Sequence, residues 1–216
     1  MIGTNPGQAQ TQINNFLDYG KNVSDVLIKA LENFTISLST SWYSPKAVDF
    51  YNKNIQKTFA AICNLESAYN NIGAAAARAF NAHARANDIA TINVPSTEIY
   101  TTDGVEAFWY GLEEKSPMGI VGMDKSTVEL AKSEFHKKVD NAMQLIDETP
   151  YDIAFYDEDG MQVATFKSEI NKMKNQFTNQ LEMLDRELES ALHDEIQTVE
   201  LAAKQAVSEL QSTTQL

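Results

Sequence analysis

The side chains of this chain that could serve as ligands, bases or nucleophiles are few and scattered. Three histidines, His83, His136 and His193, fall on three different helical stretches, and none has a second ligand at a metal-binding spacing, whereas a zinc site takes about four ligands. His193-Asp194-Glu195 looks like a cluster, but successive helical positions diverge by ~100°, so the three cannot converge on one point. Asp157-Glu158-Asp159-Gly160 has the acidity of a calcium loop without its alternating ligands over about twelve residues and its terminal glutamate. It reads as a turn whose negative charge meets the positive end of the following helix dipole. The single Cys63 rules out an internal disulfide and a cysteine-based zinc site. It follows Ile62 at the edge of an apolar seam, the position of a small buried hydrophobe. Gly-rich phosphate loops, nucleophile elbows and paired carboxylate motifs are missing from the sequence. No catalytic residue, cofactor or metal is expected, and hence no enzyme.

The elements that carry these side chains are helices. Phe16, Val23, Leu27, Ala30 and Phe34 recur at three- and four-residue steps across roughly 9–40. Val48, Tyr51, Ile55, Ile62, Leu65, Tyr69, Ile72, Ala76 and Ala79 do the same over 45–88, and Val128, Ala131, Phe135, Val139, Ala142 and Ile146 over 125–147. The fourth stripe is the longest, from Val163 through Phe177, Leu188 and Ile196 to Leu210 in a helix expected over 161–212. Near-heptad spacing held over so many turns implies left-handed, nearly antiparallel packing between helices. Ser44 before Pro45 predicts an N-cap with proline in the first turn, and Ser126 with Glu129 predicts a capping box for the third helix. The openings of the second and fourth helices, Ala47–Ile55 and Val163–Ile170, repeat weakly after short aromatic turns.

These elements predict an all-α protein of two long antiparallel helical hairpins, closing a four-helix bundle or coiled coil with an irregular connector between them. The first hairpin is placed at 1–92, the connector at 93–124 and the second hairpin, with its long last helix, at 125–216. The connector holds Pro95, Gly104, Pro117, Gly119 and Gly122, yet also Ile99, Phe108, Trp109 and Ile120, so it is expected to pack on the bundle. The last helix is far longer than the third, so the stripe Ile196, Val199, Ala203, Val207, Leu210 is expected to lack a full partner within the chain. It is a candidate seam for a partner helix or for self-association.

Thirty acidic against 17 basic residues leave a net charge of -13, a field that repels nucleic acid and anionic membrane surfaces. No apolar run reaches the ~20 residues of a membrane span. The opening MIGTNPGQAQTQ lacks the basic and apolar regions of an ordinary secretory signal. Synthesis in the cytoplasm is expected, and a signal-peptide-independent route to the outside would leave the same composition.

The turn Leu38-Ser39-Thr40-Ser41-Trp42-Tyr43-Ser44-Pro45, followed by Ala47 and Phe50, resembles that of the WXG superfamily, helical-hairpin proteins exported by type VII secretion systems. Trp42 matches the tryptophan of the family's Trp-Xaa-Gly turn, and Ser44 stands where the family has glycine. The resemblance covers about the first ninety residues, and the second hairpin looks like a diverged copy without the tryptophan. It implies a non-enzymatic substrate, export partner or adaptor, secreted or at the cell surface, with protein partners: the secretion machinery, a cognate helical protein or itself. A tandem chain would be a monomer with the bundle inside it, or a homodimer. The family's export string, Tyr-Xaa-Xaa-Xaa-Asp/Glu, fits Tyr110 to Glu114, in the connector instead of after the last helix. The turn residues Trp42, Tyr43, Ser44, Pro45 and Phe50 form either an exposed recognition anchor or the pin that packs the helix ends together. Two other classes fit the same pattern. One is a structural coiled-coil component of a phage or cell-surface assembly. The other is a membrane-active helical protein, for which Met118–Met123 is the single short apolar candidate.

Overall fold

The computed structural model describes residues 5–96, 122–151 and 160–213. It is mostly helical, as an all-α reading requires. Helix α1 spans Pro6–Ser41. Asn5 caps it, its side chain accepting from the Gln8 amide at 2.8 Å, and Pro6 occupies the first turn, where a missing N–H does no harm. After the two-residue strand β1, Trp42–Tyr43, the chain re-enters helix at α2, Pro45–Phe50. Ser44 Oγ accepts from the Ala47 amide at 3.1 Å, the cap expected from Ser-Pro. A π-helical turn, Tyr51–Ile55, joins α2 to α3, Gln56–Ala86, in one continuous rod.

The stripe did not predict that π turn. A wider turn admits an extra inward position, and here Phe50, Tyr51, Asn54 and Ile55 are all buried. The Thr58 hydroxyl donates to the Asn54 carbonyl at 2.9 Å, serving the backbone where the helix is distorted.

Helix α3 ends in a Schellman-type cap. Asp88 takes a left-handed conformation (φ 54°), and the Ile89 amide reaches back to the Ala84 carbonyl at 2.8 Å. Asn81 then clamps the next stretch with both ends of its amide, donating to the Ile92 carbonyl at 2.8 Å and accepting from the Ile92 amide at 2.7 Å. Ile92 packs on Ala9, Phe80 and Ala84, so the start of the connector lies on α1 and α3. Residues 97–121 lie outside the described part of the chain.

Strand β2, Gly122–Met123, pairs antiparallel with β1, Trp42 opposite Met123 and Tyr43 opposite Gly122. It leads into α4, Lys125–Asp147. The expected Ser126–Glu129 capping box is not what starts this helix. Asp124 is the cap: its carboxylate accepts from the Ser126 and Thr127 amides at 3.1 and 3.3 Å and from both hydroxyls at 2.7 Å. A carboxylate offers two oxygens and a charge to the helix dipole, so it outcompetes a serine hydroxyl for the same donors. Helix α5 spans Gly160–Thr213.

The core is continuous from Ile13 to Leu192 and draws on every long helix. Helix α1 packs against α3 and α4, and α3 packs against α5. Phe16 packs on Tyr69 and Phe34 on Phe135 (ring centroids 5.1 and 5.0 Å), and Lys53 pairs with Glu187. Helices α4 and α5 approach each other less extensively and are joined by charged side chains.

Candidate functional site

Trp42 lies at the turn where α1 gives way to α2, held by its β1 pairing. It is 1% exposed. Its ring packs on Phe50 and Tyr51, with centroids 5.7 and 6.4 Å away, and those two rings meet at 6.2 Å. Of the two roles open to Trp42, pinning the helix ends is the one this geometry serves; an exposed anchor is not. The indole Nε1 is buried with no hydrogen-bond partner among the described residues, which leaves apolar area as the source of its stabilisation. Ser44 is buried in its capping role, and the side chains of Tyr43 and Pro45 lie outside the description.

The histidines remain separate. His83 neighbours Asn87, and His193 neighbours Gln197 on the same helix. His136 does more, its Nε2 lying 3.0 Å from Asp185 Oδ1 across the α4–α5 junction. Lys132 joins Asp185 at 3.6 Å and Glu189 at 2.9 Å, and Lys174 pairs with Asp147 further along. The contact to Lys132 holds the Glu189 carboxyl below its usual range. Alternating charge on two facing helices positions them and offers no reacting atom. No group of three or more histidine, cysteine or acidic side chains stands in metal-binding array among the described residues.

Cys63 is buried, and burial, with Glu66 nearby, pushes its thiol up to about 11. That is an inert thiol at neutral pH. Glu66 is itself buried and accepts a short hydrogen bond from the Ser24 hydroxyl of α1. Periodicity gave no sign of this pair. Serine at a seam position facing glutamate was the available signal, and it requires knowing which helices face each other. A groove of about 760 Å³ between α1 and α4 is floored by Phe34 and Phe135 and rimmed by Glu134, Lys137, Lys138 and Asp140, a mixed-charge border without convergent groups.

The end of α5 is the feature that stands apart. Leu181, Leu184, Leu188 and Leu192 are buried along one stripe. The next stripe residue, Ile196, is half-buried, and every residue from 200 to 209 is exposed. Val207 is 53% exposed and Ala203 is exposed, so the expected partner seam is uncovered at these positions. The side chains of Val199 and Leu210 lie outside the description. Leu201, 59% exposed on the other side of the helix, was not part of the sequence expectation. Tyr110 and Glu114 lie outside the described residues, as does Met118–Val121. No helix among the described residues is long and apolar enough to cross a membrane. No family model, curated protein or solved structure matches this chain.

Proposed function

We propose that this chain is a tandem helical-hairpin protein of the type VII secretion kind, acting without catalysis as an export substrate, partner or adaptor. In this reading α1 with α2–α3 forms one hairpin, α4 with α5 the other, and their stripes close a four-helix bundle within one polypeptide. The observation that carries it is the uncovered end of α5: a stripe buried as far as Leu192 runs on into solvent through Ala203 and Val207. Apolar surface kept in phase with a packed seam is what a helix-binding protein presents. The Trp42 turn and the field of a chain with net charge -13 are compatible with it.

The test is export. Expressed in a Gram-positive host with a type VII machine, the chain reaches the culture medium, and deletion of the machine's ATPase retains it in the cell. Equal release with and without the ATPase contradicts the proposal. The same free helix end also favours a structural coiled-coil assembly component. Light scattering separates the two: large symmetric assemblies of the purified chain support the second reading, and a monomer or dimer the first.

A further inference from the structure

We draw no further inference here: the strongest candidate, the exposed stripe through Ala203 and Val207 at the end of α5, already carries the proposed function, and nothing in the structure shows what covers it.

Discussion

Gly20 of α1 lies so close under the ring of Tyr69 on α3 that a β-carbon at position 20 would stand 2.4 Å from Tyr69 Cγ. Tyr69 is fully buried, packs on Phe16, and its hydroxyl shares a 2.7 Å hydrogen bond with Thr149 beyond the end of α4. One glycine thus sets the approach of α1 to α3 and, through Tyr69, the seating of α4. Gly20→Ala gains up to ~1 kcal/mol in helix propensity but forces overpacking that costs about 1–3 kcal/mol. The clash is with the stem of a buried ring, which cannot swing away, so the net effect is destabilising. A fall in the urea midpoint checks it; a midpoint at or above the parent's contradicts it.

Trp42 holds the turn by area and not by its N–H. Trp42→Ala should cost about 3–5 kcal/mol. Trp42→Phe should cost less than half as much, since it keeps apolar contact with Phe50 and Tyr51 and removes a buried donor that has no partner among the described residues. Thermal melts of both variants decide this. Equal losses would mean that the indole nitrogen is satisfied.

Asp124 makes the start of α4 sensitive to acid. Hydrogen bonds from Ser126 and Thr127 hold its carboxyl down at about 2, against ~3.9 in an unfolded chain. Because the folded value is the lower one, the stabilisation is present above the unfolded value and is lost as pH falls towards about 2. The melting temperature of Asp124→Ala should lie below the parent's at neutral pH, with the gap narrowing as acid is added. A gap that stays constant into acid contradicts the assignment.

Across the α4–α5 junction, Asp185 receives both His136 and Lys132. Asp185→Asn should lower stability by about 1 kcal/mol at low salt, the scale of a partly exposed network, and by less at high salt, where such pairs are screened. Chemical denaturation in low and high salt, with urea as the uncharged denaturant, measures both.

Cys63 should react with a thiol reagent at mildly alkaline pH at least two orders of magnitude more slowly in the folded chain than in urea, because burial suppresses both access and the thiolate. Comparable rates would show that the α3 seam opens easily.

Much of this architecture was written in the spacing of apolar residues. Phe135 and Val139 place α4, and its observed bounds, Lys125–Asp147, are those the stripe implies; Ser44-Pro45 marks the start of α2. Periodicity reports which face of a helix is buried but not what covers it. It therefore left unstated that α4 packs chiefly on α1 while charged pairs join it to α5. The π turn at Tyr51–Ile55 escaped because one extra inward residue keeps the stripe continuous by eye. The choice of Asp124 over Ser126 as cap turned on a competition between neighbouring acceptors, which spacing alone does not weigh. At the α5 end the exposure of Ala203 and Val207 follows from length, since a helix ending at Thr213 outruns α2 and α4. The reciprocal amide clamp of Asn81 on Ile92 needed the path of the chain after α3.

The central claim is that α5 runs on past its buried leucines into a stretch, residues 200–209, that is exposed throughout. Amide hydrogen exchange of the isolated full-length protein tests it directly, because a helix segment without tertiary contacts is marginal in water. The amides of 200–209 should exchange orders of magnitude faster than those of 177–192, which carry the buried leucines. Equal protection of the two stretches in the monomer would mean that the seam is already covered, and would contradict the account.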